Sequence, residues 1–319
     1  MVRDWRALLV TALAGGLLSC QARVNGELSS KLGGGSAHAV VAAAVSFSVG
    51  TIVLVVATVA TGAWRGAFSN GRPQWWECIG GLGGAALVAS SAAAVPLVGV
   101  ALLSVMVVAG QTTGALVVDR VGLGPGGKHH LSASRVAGAF IAILGLGAAT
   151  VGAPKGALTI WLVLAVVGSG VLVAAQQAVN GRLREHTGQA VVAALISFLG
   201  GTAVLLLGWA VLAILGAIHG LPWPGEFWLY LGGFGGAIYI ALSAATVKRL
   251  GVLQFSLASI GGQLAGGVIL DLATPAGHVR KGAMLAVLLT VLAVAISRPA
   301  KRQVEDHVGH DSAHDSVIA

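Results

Sequence analysis

Charge is what this sequence has least of: 9% of its 319 residues are Asp, Glu, Lys or Arg, against about 25% in a water-soluble domain. So few charges cannot coat a soluble surface, and 56% of the residues are apolar. The surrounding solvent is therefore mostly lipid, and no soluble catalytic domain has room between the apolar runs. The net charge of +8 would suggest a nucleic-acid partner in a soluble protein, but here it is the charge expected of cytoplasmic loops. Cysteine is scarce too. Cys20 and Cys78 offer neither a disulfide framework nor zinc spacing and read as small packing residues. The acidic residues are Asp4, Glu27, Glu77, Asp119, Glu185, Glu226, Asp271, Glu305, Asp306, Asp311 and Asp315. All fall at predicted helix ends, loops or the tail. With no carboxylate at a predicted midplane, a simple proton-coupled cation exporter is disfavoured.

What the sequence has is apolar runs of membrane-spanning length, roughly 20 residues each. They place helices near 7–27, 36–61, 77–95, 98–118, 133–152, 157–180, 188–217, 227–247, 251–270 and 281–297. Gly33-Gly34-Gly35, Asn70-Gly71-Arg72-Pro73, Gly124-Pro125-Gly126-Gly127 and Leu221-Pro222-Trp223-Pro224-Gly225 break them, and Pro96 separates the third from the fourth. Trp64, Trp75, Trp76, Trp223 and Trp228 stand at the predicted ends, where an indole ring prefers the lipid–water interface.

With a cytoplasmic N-terminus, fourteen basic residues face the cytoplasm: Arg3, Arg6, Arg65, Arg72, Arg120, Lys128, Arg135, Arg182, Arg184, Lys248, Arg249, Arg298, Lys301 and Arg302. The other side receives five: Arg23, Lys31, Lys155, Arg280 and Lys281. Both termini are expected in the cytoplasm by the positive-inside rule. Arg3, Arg6 and Leu17-Leu18-Ser19-Cys20 imitate a lipoprotein signal. No cleavage is expected there, because a repeat runs through Cys20.

That repeat is the most informative feature. Gly15-x-Leu17-x3-Gln21-x-x-Val24-Asn25-Gly26-x-Leu28 returns as Gly170-x-Leu172-x3-Gln176-x-x-Val179-Asn180-Gly181-x-Leu183. Ala39 to Ala43 and Ser46-Phe47-x-x-Gly50-Thr51 return as Ala190 to Ala194 and Ser197-Phe198-x-x-Gly201-Thr202. Trp76-x3-Gly80-Gly81-x-Gly83-Gly84-Ala85 matches Trp228-x3-Gly232-Gly233-x-Gly235-Gly236-Ala237, and Gly110-Gln111-x-x-Gly114-x4-Asp119 matches Gly262-Gln263-x-x-Gly266-x4-Asp271. Five helices per copy is odd, so the second copy enters the membrane from the opposite side. The expected fold is an all-α integral membrane protein of ten transmembrane helices in two inverted five-helix repeats, 1–153 and 154–299, with a disordered cytoplasmic tail at 300–319. Inverted repeats are a recurring plan of secondary transporters.

The Gln-x3-Asn-Gly element of the first and sixth helices, with the repeats around it, resembles the YdcZ-type branch of the drug/metabolite transporter superfamily, related to the EamA-like exporters. The resemblance covers nearly the whole chain and implies a fused pair of five-helix halves acting as a bacterial inner-membrane permease or exporter. It implies neither a substrate nor site residues. The membrane-embedded first-helix Glu of the superfamily's small multidrug exporters has no counterpart here.

The expected function is secondary transport by alternating access, with export of a small metabolite or drug-like molecule as the direction, no enzymatic activity and no cofactor. The expected partners are the bilayer and a small-molecule substrate, with no nucleic acid; a homodimer is open. A polytopic enzyme acting on lipid and a non-transporting scaffold remain the alternatives. Gln21 and Asn25, like Gln176 and Asn180, share one helix face at four-residue spacing; they either lock helices together or line the pathway. Gln111 and Gln263 lie eight residues, about 12 Å, before Asp119 and Asp271. They either border the substrate near the midplane, with the aspartates at opposite mouths, or tie the halves together. Gly80, Gly84, Gly232 and Gly236 have the spacing that lets helix backbones approach. No metal site is expected. The tail from Glu305 to Asp315 mixes His and Asp but reads as solvated chain, and Lys128-His129-His130 reads as a wet loop.

Overall fold

The computed structural model describes residues 5–68, 71–124, 127–128, 132–149, 159–218, 220–273 and 281–296. Arg3, Asp4, Asn70, Pro125, Gly126, His129, His130, Lys155, Arg280 and the tail lie outside the described residues. Those described form helices and connecting turns: α1 Trp5–Lys31, α2 Gly35–Ala60, α3 Gly81–Val98, α4 Val100–Val121, α5 Ala133–Ala149, α6 Ile160–Thr187, α7 Ala190–Ile214, α8 Gly232–Leu272 and α9 Lys281–Ile296. Short 3-10 turns at Trp75–Gly80 and Phe227–Leu231 lead into α3 and α8. Among the described residues, six helical spans are long and apolar enough to cross a membrane, and four shorter apolar segments bring the total to ten.

Two of the ten, Phe227–Ile240, which begins in the second 3-10 turn, and Ala258–Leu272, share the one helical run α8. Neighbours reveal that this run has two limbs. Asn25 faces Gly232, and Gln21 faces Gly236, so numbers fall along α1 as they rise along the first limb. Ala12 faces Gly262, and Gly16 faces Gly266, so numbers rise together along the second. The chain therefore reverses between Gly236 and Ser259, as it does between α3 and α4. There, α3 runs against α6 (Gly80 with Asn180, Gly84 with Gln176) while α4 runs with it (Gly110 with Val167, Gly114 with Val171).

Several boundaries differ from the sequence reading. The helices α1 and α6 continue to Lys31 and Thr187, past their apolar runs, because charged side chains there can leave the bilayer while the backbone stays helical. Asn25 and Asn180 are thus interior to their helices. Pro96 lies inside the last turns of α3, and the break falls at Gly99, whose φ of 82° requires glycine.

The outer face is apolar, unlike that of a soluble protein. Ile52, Val56 and Val59 on α2, Leu207, Val211 and Ile214 on α7, and Leu288 and Val291 on α9 are exposed and offer an apolar belt to lipid. Inside, Val100 to Gly110 of α4 are all buried. Hydroxyls within the helices return to their own backbone: Thr11 donates to the Ala7 carbonyl at 2.8 Å, Ser104 to Val100 at 2.9 Å and Thr112 to Val108 at 2.7 Å. This satisfies donors where no water is at hand.

Candidate functional site

Where α2 and α7 cross, the two halves meet counterpart to counterpart. Phe47 and Phe198 occupy equivalent positions in the repeat and stack with ring centroids 4.8 Å apart. Thr51 and Thr202, also equivalent, share a 2.8 Å hydroxyl–hydroxyl hydrogen bond. The rings fit because Gly50 and Gly201 leave room; a Cβ on either would stand 2.5 or 2.4 Å from the opposing ring.

A polar cage flanks the stack on each side. In the first, Gln21 and Asn25 of α1 and Ser46 of α2 face the glycine surface of the first limb of α8. The Gln21 amide donates to Ser46 Oγ at 3.4 Å, and a Cβ on Gly236 would lie 3.2 Å from Gln21 Oε1 and 3.4 Å from the Phe198 ring. In the second, Gln176 and Asn180 of α6 and Ser197 of α7 face the glycine surface of α3. Ser197 Oγ donates to Asn180 Oδ1 at 2.8 Å, and a Cβ on Gly84 would lie 3.2 Å from Gln176 Oε1 and 3.1 Å from Phe47. Each cage thus borrows one wall from the other repeat's phenyl ring.

The cages are not equally satisfied. Asn25 is 1% exposed, yet neither its Nδ2 nor its Oδ1 has a hydrogen-bond partner, and the same is true of Gln176 Oε1. Leaving such an atom buried and unpaired costs about 1–3 kcal/mol. Buried orphans of this kind call for a specific account.

Gly80, Gly84, Gly232 and Gly236 face side chains of these cages. The closest backbone approaches are made at their neighbours: a Cβ on Gly81 would stand 1.8 Å from the Ser197 carbonyl oxygen, and one on Gly233 2.0 Å from that of Ser46. A one-residue shift round a helix separates a side-chain contact from a backbone contact, and spacing alone does not resolve it.

Gln111 and Gln263 are half-buried at two further crossings. Gln111 follows Gly110, where α4 meets Gly170 of α6; Gln263 follows Gly262, where α8 meets α1, and its backbone carbonyl accepts from Ser19 Oγ at 2.6 Å. Asp271 folds over the start of α4: its two carboxylate oxygens accept from the amides of Val100 and Ala101, each at 2.9 Å. A carboxylate at a helix N-terminus completes orphan donors and complements the helix dipole. Asp119, its counterpart, lies in the last turn of α4.

Charged groups gather at two places beyond the cages. Lys31 at the end of α1 pairs with Glu226 at 2.5 Å, and Glu27 lies 3.9 Å away. The hydrogen bond from Lys31 holds the Glu226 carboxyl below its ordinary range, helped by a backbone hydrogen bond. At the end of α6, Arg182 lies over the Trp76 ring and donates to the Gly122 and Leu123 carbonyls, and His186 faces the buried Glu77 at 3.5 Å.

Ser46, Ser197, Phe47, Phe198, Thr51 and Thr202 were not among the residues expected to carry function. Their signal was in the repeat itself, which preserves Ser-Phe-x-x-Gly-Thr in both copies.

The family model described as "Putative inner membrane exporter, YdcZ" matches residues 6–148 and again 160–296. A solved structure titled "Crystal structure of protein" is similar in fold, with a TM-score of 0.59 and 21% identity over 92% of this chain and 96% of that chain. No curated protein compared with the chain matches it.

Proposed function

The chain belongs to the DMT_YdcZ family of inner membrane transporters, and from that premise we propose that it exports a small organic molecule by alternating access between two inverted halves. The contact directions support the inversion. The second limb of α8 runs with α1 and ends with Asp271 on the first turn of α4, so α4 starts where that limb finishes and runs against α1. Because α6 runs with α4, it too runs against α1. Halves related in this way can exchange conformations and so open the same site to either side of the membrane. The 14-to-5 division of basic residues favours both termini in the cytoplasm.

The observation that carries the transport pathway is the Asn25 amide, buried with both polar atoms unpaired against Gly232, one helical turn from Gln21, which faces Gly236 together with the Phe198 edge. Keeping this cost in an apolar bundle makes sense where a substrate supplies the missing donor and acceptor. Gln176 offers a further acceptor in the opposite cage. Amides and phenyl edges, with no charged side chain among them, suit a neutral or zwitterionic molecule that hydrogen-bonds and carries an apolar or ring portion. Gln111 and Gln263 border the cages one crossing away.

The test begins with a compound screen for thermal stabilisation of the purified protein, followed by counterflow of any hit in vesicles. Asn25→Leu and Gln176→Leu should weaken or abolish exchange while the protein stays folded. Wild-type flux in both variants would remove the cages from the pathway, and no exchange of any stabilising compound would remove the transport reading.

A further inference from the structure

Among the described residues, the two halves differ in one buried charge. In the turn before α3, Trp76 is followed by Glu77; at the equivalent place before α8, Trp228 is followed by Leu229. Glu77 is 2% exposed and Leu229 0%. Both sequences make a 3-10 turn, so the fold does not need a carboxylate there. Glu77 Oε2 accepts from the backbone N–H of Gln74 at 2.9 Å, but that capping contact gives no reason to bury the group.

The reason lies across the interface. Glu77 Oε2 faces His186 Nε2 of α6 at 3.5 Å, an ion-pair distance. The other charged groups nearby are otherwise placed. Arg182 is engaged with the Gly122 and Leu123 carbonyls and Trp76; Arg184, Glu185 and Arg72 are exposed. The thiol of Cys78 adjoins the carboxylate in sequence, and α3 and α7 contain no charged residue. The position equivalent to His186 in the first half is Lys31, which pairs with Glu226. One end of the molecule is thus tied by a permanent cation. The other is tied by imidazole, the side chain whose ordinary titration falls between about pH 5 and 8.

We infer that Glu77 and His186 form a proton-binding site whose occupancy holds the end of α6 against the turn that starts α3. With a proton on His186, imidazolium and carboxylate neutralise each other in their buried position. When that proton leaves to water, the imidazole is neutral and Glu77 is a buried carboxylate without a counter-charge, which is costly unless water reaches it. The turn then parts from α6. Its last residue, Gly80, touches Asn180, so the movement reaches the second cage directly. Its use in driving export rests on the transport reading above, with the proton as coupling ion.

The test needs no substrate. Full-length protein in liposomes is followed by infrared pH-difference spectroscopy and by hydrogen exchange of the 75–80 amides, corrected for intrinsic rates. In the wild type, the Glu77 carboxylate stretch and the His186 ring band should change together, in one step, as pH is raised. Exchange in the turn should be roughly tenfold slower on the acid side of that step. His186→Gln and Glu77→Gln should each abolish the exchange difference. Should Glu77→Gln misfold, Glu77→Leu, which copies the other half, replaces it. A carboxylate band that ignores His186→Gln, or turn exchange that is pH-independent in the wild type, overturns the inference. Failure of the transport assay alone would overturn the function and leave this site standing.

Discussion

Phe47 of α2 stacks on Phe198 of α7, its own counterpart in the other half, with ring planes 24° apart. A residue can meet its counterpart only near the relation that exchanges the two copies, and Thr51 meets Thr202 in the same way. This crossing is therefore the seam on which the two cages are hung. Phe47→Ala or Phe198→Ala should each destabilise the protein by about 3–5 kcal/mol, the usual effect of emptying a buried phenyl site. Because the rings touch, the double variant should cost less than the sum, with a coupling of about 0.5–1.5 kcal/mol. Reversible unfolding in mixed micelles measures both, and strict additivity would argue against the stack.

The neighbouring backbone contact makes a sharper prediction. A Cβ on Gly81 would penetrate the Ser197 carbonyl, and one on Gly233 that of Ser46, whereas one on Gly168 meets nothing within 4 Å. Gly81→Ala and Gly233→Ala should each force a helix pair apart and lower the folded yield severalfold in size-exclusion profiles. Gly168→Ala should behave as wild type. Equal tolerance of all three would mean that α3 and α8 do not approach their partners as closely as described.

Much of this arrangement was legible beforehand, for identifiable reasons. Lipid leaves a strong compositional mark, so ten apolar segments and their breaks could be read from runs and glycines. The repeat exposed the amides Gln21, Asn25, Gln176 and Asn180 because polar residues recurring in apolar helices stand out. Three things could not be read. Gly81 and Gly233 rather than Gly80 and Gly232 make the backbone contacts, a distinction set by helix rotation. The contact of Asp271 with the Val100 and Ala101 amides joins residues 171 and 170 apart, which no local pattern relates. Glu77 reads as an interfacial loop acid, and only the packing of α6 and α7 on its turn buries it.

Acid should weaken the tie between Lys31 and Glu226. Lys31 holds the Glu226 carboxyl below its ordinary value of 4.5. A lowered carboxyl pKa adds stability that is fully present above the unfolded value and is lost as pH falls through the folded one. The difference in thermal midpoint between wild type and Glu226→Gln should therefore be constant near neutrality and vanish in the acid range. It should be small and reduced by salt, because both groups are solvent-exposed. A difference that grows on acidification would reverse the sign of the argument.

Asn25 and Asn180 occupy the same place in the two repeats but should respond oppositely to the same change. Asn180 accepts a 2.8 Å hydrogen bond from Ser197, so Asn180→Leu strands the serine hydroxyl and should destabilise the protein by about 1 kcal/mol or more. Asn25 has no partner on either polar atom. Leucine, of similar shape, relieves that burial cost, so Asn25→Leu should leave stability unchanged or raise it. If the orphaned amide is kept for a substrate, the same variant should lose flux. Gain of stability with loss of transport is a combination that a merely structural asparagine does not give. Unfolding midpoints and counterflow on the same preparations read both quantities. Asn25→Leu protein that is destabilised like Asn180→Leu would show that the Asn25 amide is tied into the bundle after all, and the pathway would have to be sought at Gln111 and Gln263.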